Sequence, residues 1–214
     1  MSKKTMQWIV IIVAIIAIIV IVLFMIRKPA VTLPAPVQIN TQNQPTMGNP
    51  NAPIHIVAFE DLKCANCMRF NIQLLPKIKK AYIDTGKAKY TFINLAFIPG
   101  SQPAALTARC VYDQNTKLFF DYVDHLYHHQ PPENENWATI PYLLSMATQI
   151  KNINQQKLMQ CIVSQQNNNI INQNMKIAEK IMPKGVATPS LYINGILVNP
   201  LTWLQITAVI GNVK

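Results

Sequence analysis

The sequence predicts an α/β domain interrupted by a helical block and carried behind one N-terminal transmembrane helix. Three observations predict it. Residues 5–26 contain no charged side chain, and beyond Trp8 they are almost entirely Ile, Val, Ala, Leu, Phe and Met. A strand–helix–strand pattern then runs from Ile54 to Phe97, the order of a parallel βαβ unit. Near the C-terminus, Asn194-Gly195 separates two short apolar runs, which is a strong local signal for a hairpin.

The first segment is long enough to matter. At ~1.5 Å per residue its uncharged stretch makes a helix of roughly 33 Å, sufficient to cross a bilayer. A secretory signal has a shorter apolar core and a small-residue cleavage site. Here the run ends in Arg27-Lys28-Pro29, so an uncleaved signal-anchor spanning 1–28 is expected. A helix apolar on every face would not pack easily in a small globular domain. Residues 29–46, rich in Pro, Gln and Asn, read as an extended spacer. The domain is then expected over 47–214.

Within it, Ile54–Phe59 is apolar and β-branched, and reads as a strand. Cys64 to about Asp84 reads as a helix bent at Pro76. Asp84-Thr-Gly86 ends it, and Lys89–Phe97 is the second strand. Between about 102 and 182, apolar residues recur at spacings of three and four, which predicts four or five helices. Ser190–Ile193 and Ile196–Val198 form the hairpin, and Thr202 is placed to cap a last helix ending near Ile210.

Composition excludes some classes of function. The chain has 214 residues, 19 basic and 9 acidic, with half its residues hydrophobic. Lys3, Lys4, Arg27 and Lys28 belong to the apolar segment, and the remaining 15 basic residues are scattered without a stripe. Nucleic acid is therefore not an expected partner. His125, His128 and His129 could suggest a metal cluster, but they sit among Phe119, Phe120, Tyr122, Leu126 and Tyr127 on one helical segment. No metal and no cofactor are expected.

The chemistry lies in Cys64-Ala-Asn-Cys67, a C-x-x-C placed after a strand and at the start of a helix. One helical turn brings the two sulfurs within disulfide reach. The unpaired N–H groups and dipole at the helix start favour a thiolate on Cys64, and Lys63 adds a neighbouring positive charge. A thiolate at Cys64 attacks a disulfide, and Cys67 resolves the mixed disulfide. A structural bridge is the plainer alternative. A zinc site would need two further ligands, and no second pair follows.

Several segments resemble the DsbA-like branch of the thioredoxin superfamily. They are Met47-Gly-Asn-Pro-Asn-Ala-Pro53, Phe59-Glu-Asp-Leu-Lys-Cys-Ala-Asn-Cys67, the stretch Ala104–Cys110, Lys117–Tyr122 and, most specifically, Gly185-Val-Ala-Thr-Pro-Ser-Leu-Tyr-Ile-Asn-Gly195. The resemblance implies a thioredoxin fold with an inserted helical domain, and thiol–disulfide exchange in the periplasm or another extracytoplasmic space. It implies that Cys64 is the nucleophile and Cys67 the resolving thiol. It also implies a cis Pro189 facing the cysteines, with Thr188 offering main-chain hydrogen bonds to an extended client. Read without it, Pro189 could equally be an ordinary strand-start proline. The implied partners are cysteine-containing client proteins and a membrane redox partner, with the chain held in the cell inner membrane by its helix. Family members often carry cysteines near Cys110 and Cys161, and in an oxidising compartment the pair is expected to form a structural disulfide; two buried free thiols are the alternative.

Two departures bear on activity. The strongly oxidising relatives place Pro and His between the cysteines, where this chain has Ala65 and Asn66, which lowers the expected oxidising power. Many thioredoxin-fold enzymes also place a carboxylate six residues before the first cysteine, where this chain has Ala58. Glu60 and Asp61 stand nearby, and the sequence leaves open which of them, or water, accepts the proton.

Overall fold

The computed structural model describes residues 3–26, 33–182 and 184–213. These fall into two compact units, the first ending at Leu33 and the second running from Pro34. Arg27, Lys28 and the start of the expected spacer, 29–32, lie outside the described residues.

The first unit contains helix α1, Lys3–Ile26. Its described side chains are Met6, Trp8, Ile9 and residues 12–22, and the large hydrophobic ones among them are exposed. Among the described residues no helix is long and apolar enough to cross a membrane. A membrane-spanning role for this segment therefore rests on the sequence alone.

The second unit is a five-stranded sheet in the order β1-β3-β2-β4-β5. β2 (Ile54–Asp61) and β3 (Ala88–Leu95) are parallel, with Ile54 opposite Ala88 and Asp61 opposite Leu95. Both strands are buried over nearly their whole length, as expected where both faces of a sheet are covered, although β2 carries His55, Glu60 and Asp61 and β3 carries Lys89, Thr91 and Asn94. The connection between them is not the single bent helix expected. It is α2 (Ala65–Gln73), α3 (Leu75–Ile78) and a π-helical turn over Lys79–Ile83. Pro76 stands in the first turn of α3, where its missing N–H breaks no bond and a new helix can begin.

β4 (Ser190–Ile193) runs antiparallel to β2 and makes the hairpin with β5 (Ile196–Leu197). Asn194 and Gly195 both have positive φ, 47° and 82°, as a tight two-residue hairpin turn requires. The block between β3 and β4 holds five helices: α4 (Gln102–Tyr112), α5 (Thr116–His128), α6 (Ile140–Thr148), α7 (Gln155–Ser164) and α8 (Asn168–Ile181). Cys110 of α4 and Cys161 of α7 are joined by a disulfide. On one face of the sheet Val57, Phe59, Ile93, Leu95 and Tyr192 pack with Ala178 and Met182 at the end of α8. The last helix, α9 (Trp203–Asn212), begins at Thr202, whose hydroxyl accepts from Gln205 N–H at 3.3 Å.

The expected boundary between spacer and domain near Met47 is displaced toward the N-terminus. Val37 and Ile39 pack on the sheet core, and Val37 N–H donates to the Gly195 carbonyl at 2.9 Å. Gln44 is buried, bonded to Asn174 of α8, and Thr46–Gly48 add a short strand, β1, antiparallel to β3. Polar, proline-rich composition predicted a solvated tether. It missed that Val37, Ile39, Asn43, Gln44, Pro45 and Thr46 all find specific partners on the domain.

Candidate active site

Cys64 is the N-cap of α2, with extended backbone (φ −71°, ψ 121°), and Cys67 lies in the first turn. The turn that delivers Cys64 is built by Asp61, the last residue of β2. One of its carboxylate oxygens accepts from Phe97 N–H, Ile98 N–H and the Ser101 hydroxyl at 3.0, 3.1 and 2.8 Å. The other accepts from Lys63 N–H at 2.9 Å. Asp61 therefore welds the active-site turn to the segment after β3. Burial pushes its carboxyl up, against those four bonds.

The peptide bond between Thr188 and Pro189 is cis. The Cys64 thiol donates to the Thr188 carbonyl at 3.5 Å, so the Pro189 loop and the C-x-x-C meet at the sulfur. Beside them a cleft of about 400 Å³ is lined by Asn66, Arg69, Phe70, Thr188, Pro189 and Leu201, among others.

The two thiols are set apart chemically. Cys64 is held down to about 6, chiefly by a hydrogen bond from the Cys67 thiol, against the cost of burial. Thr188 and the N–H groups of Cys67 and Asn66 add to this; the Thr188 hydroxyl is buried with no hydrogen-bond partner among the described residues. Cys67 is fully buried, and burial pushes its thiol well above the ordinary cysteine range. At neutral pH one sulfur is therefore a thiolate and the other keeps its proton.

The tuning role expected of Lys63 is filled differently. The Lys63 ammonium turns away from Cys64 and donates to the Pro99 carbonyl at 2.9 Å. The Asn66 side chain accepts from Arg69, so its contribution to the thiolate is its main-chain N–H. Ala65 contributes its N–H, which donates to Glu133 at 2.7 Å.

Glu60 is the group the sequence could not place. It lies inside β2, two residues from Ala58 and so on the same strand face. Its side chain is fully buried. It accepts from the Tyr90 hydroxyl of β3 at 2.6 Å, the Tyr127 hydroxyl of α5 at 3.1 Å and the Asn71 amide of α2. Asn71 also donates to the Cys67 carbonyl at 3.0 Å. Burial raises the Glu60 carboxyl to about 7 despite these three bonds, and its charge in turn helps to hold the Cys67 thiol protonated. A carboxyl that titrates near neutrality beside the buried thiol can exchange a proton with it. Tyr90, Tyr127 and Glu133 escaped sequence reasoning because only the packing of β3, α5 and the α5–α6 loop brings them here, whereas Asn71, one turn after Cys67 on α2, could have been found from its spacing. His128 and His129 instead direct their Nδ1 atoms to carbonyls of their own helix, at Asp124 and His125.

A family profile described as Thioredoxin matches residues 40–212. The chain belongs to the thioredoxin family. It is 30% identical over 158 residues to disulfide bond formation protein D of Bacillus subtilis, covering 73% of this chain and 70% of that one. Its structure is similar to that of oxidised BdbD from Bacillus subtilis, with a TM-score of 0.77, 27% identity, and 85% and 98% of the two chains covered. It is likewise similar to Chlamydia trachomatis DsbA, with a TM-score of 0.74, 32% identity, and 84% and 96% covered. This thioredoxin-family chain is a thiol–disulfide oxidoreductase of the DsbA-like kind. A C-x-x-C that is only a structural bridge, the plainer alternative, is set aside.

Proposed function

We propose that this oxidoreductase is anchored in the cell inner membrane by its N-terminal helix, faces an extracytoplasmic space and donates its Cys64–Cys67 disulfide to folding proteins. The observation that carries the direction of transfer is the set of donors around Cys64. A reduced pair whose thiolate is held at about 6 is a stabilised product, so the oxidised pair gives up its disulfide readily. A client thiolate attacks Cys64 Sγ and forms a mixed disulfide. Cys67 leaves as a thiolate and takes up a proton, for which Glu60 is the donor. A second client thiolate then attacks the client sulfur of the mixed disulfide and releases Cys64 as a thiolate. The client loses two electrons and the pair gains them; a membrane redox partner removes them again. The Thr188 carbonyl and the adjoining cleft suit a client held in extended form by its main chain.

The anchor is supported by the uncharged run 5–26 and by the exposed apolar side chains described in α1. An oxidising compartment is supported by the Cys110–Cys161 disulfide. The test is the reduction potential of Cys64–Cys67 in the full chain in detergent, equilibrated against glutathione. A value near about −120 to −150 mV supports donation, whereas about −200 mV or lower makes the pair an isomerase or reductase. For placement, a variant with Cys64 as its only free thiol is treated with a membrane-impermeant maleimide in intact cells. Labelling only after lysis would exclude the extracytoplasmic assignment.

A further inference from the structure

The loop between α5 and α6 grips the main chain on both sides of Cys64. Gln130 Nε2 donates to the Lys63 carbonyl at 2.8 Å, and a Glu133 carboxylate oxygen accepts from Ala65 N–H at 2.7 Å. Pro131 and Pro132 lie between these two residues and limit how the loop can flex. The loop is also tied at its far side. Trp137 is buried against Tyr142, with ring centroids 5.6 Å apart, and the Tyr142 hydroxyl donates to the His129 carbonyl at 2.6 Å.

Ala65 is the first residue of α2, so its N–H is one of the donors a helix leaves unpaired at its start. Cys64, the N-cap, supplies no side-chain cap of its own. A carboxylate from the insertion fills that place. It sits on the amide directly bonded to the Cys64 carbonyl carbon, at the helix end whose positive field favours the Cys64 thiolate. The cation that could balance it, Lys63, is bonded to Pro99 instead.

We propose that Glu133 is a positioning residue that sets the redox equilibrium of the Cys64–Cys67 pair by placing a negative charge on the N-terminus of the active-site helix. In the disulfide state the carboxylate caps α2 without competition. When two glutathione thiols reduce the pair, two electrons and two protons enter it and glutathione disulfide leaves. Cys64 then sheds its proton to solvent and becomes a second anion at the same helix end. Repulsion between the two anions disfavours the reduced state, so Glu133 makes the pair a weaker oxidant than its Cys64 environment alone would. The inference rests on the redox reading of Cys64–Cys67 but not on which direction the pair works in cells.

The experiment uses the full chain in detergent with Glu133→Gln, Glu133→Ala and, as control, Glu135→Gln. The control makes the same charge change in the same loop at a residue whose side chain has, among the described residues, no hydrogen bond to α2. Each protein is equilibrated with glutathione, and Cys64 is titrated by thiolate absorbance near 240 nm. One partly exposed charge at a helix end is worth on the order of fivefold in an equilibrium constant. Glu133→Gln is therefore expected to shift the equilibrium about fivefold toward the dithiol, ~20 mV at about 30 mV per tenfold. The Cys64 midpoint should fall in parallel, and the gap to wild type should narrow in 1 M NaCl. Glu135→Gln should stay within twofold of wild type. The proposal is overturned if Glu133→Gln also stays within twofold, or if the control moves as far. It is equally overturned if only Glu133→Ala moves the equilibrium, since that would leave Glu133 a purely structural tie.

Discussion

Replacing Glu60 by Gln tests whether the buried carboxyl is a proton reservoir. In the fold this group titrates near 7, against an ordinary value of 4.5. The folded protein thus holds a proton that the unfolded chain releases between these limits. For an acid with a raised pKa, stability falls as pH rises, beginning near 4.5 and levelling off above 7. The separation of the two values corresponds to about 3 kcal/mol in total, of which roughly 2–3 kcal/mol is lost between pH 5 and 8.5. Cys64 works in the opposite sense when reduced, because its lowered pKa adds stability as pH rises through about 6 and above. The measurement is therefore best made on the oxidised protein, in which neither Cys64 nor Cys67 titrates. Urea unfolding of wild type and Glu60→Gln is followed at half-unit steps from pH 5 to 8.5. Gln keeps the shape but cannot ionise, so the wild-type curve should decline relative to the variant by up to the stated amount, burial being the main cause and the smaller push from the Cys64 charge being absent in the disulfide state. A uniform offset of the variant is expected and does not count, since Gln has one acceptor oxygen for the three donors Tyr90, Tyr127 and Asn71. Two parallel curves would refute the assignment of a titrating carboxyl at Glu60.

Removal of the Cys67 thiol should raise the Cys64 midpoint above about 6, because its hydrogen bond is the largest contribution holding Cys64 down; Cys67→Ala should move the 240 nm titration further than Cys67→Ser, which keeps a donor. Replacing both Cys110 and Cys161 by Ser should cost up to about 4 kcal/mol in urea unfolding, the chain-entropy value for a loop of 51 residues. The exchange rate of Cys64 should change little, since the bridge ties α4 to α7 and touches neither active-site cysteine. Gly195→Ala should destabilise by at least about 2 kcal/mol, because φ is +82° and an added Cβ would lie 2.3 Å from the Val37 carbonyl oxygen. The same change should speed proteolysis within 34–46 before the domain itself unfolds.

Much of the architecture was legible because it is written in local signals. The β-branched and aromatic residues of β2 and β3, the Asn194-Gly195 turn and the Thr202 cap each depend on a few neighbouring residues. The cysteine pair was legible for the same reason, since its chemistry needs only a strand end, a helix start and one turn. What escaped was information held by distant partners. Nothing in the composition of residues 34–46 shows that Gln44 pairs with Asn174, or that Val37 bonds to Gly195. Lys63 looked like an electrostatic helper because it adjoins Cys64, yet the Pro99 carbonyl claims it. Glu60 was ambiguous because its role depends on whether β2 continues past Phe59. It does, and alternation along the strand then puts Glu60 on the face of Ala58.

The contacts of Tyr127 with Glu60, Gln130 with Lys63 and Glu133 with Ala65 bear on how such proteins can be rebuilt. All three reach the catalytic turn from α5 and the loop after it, so the insertion is not a detachable module. Cutting it away to leave a minimal sheet would strand a buried acid and unfasten the polypeptide on either side of the nucleophile. A chimera that transplants only the C-x-x-C would inherit the cysteines without their electrostatics. The smallest heritable unit of this active site takes in β2, β3 with the segment after it, α2, the α5 arm and the Thr188–Pro189 loop together.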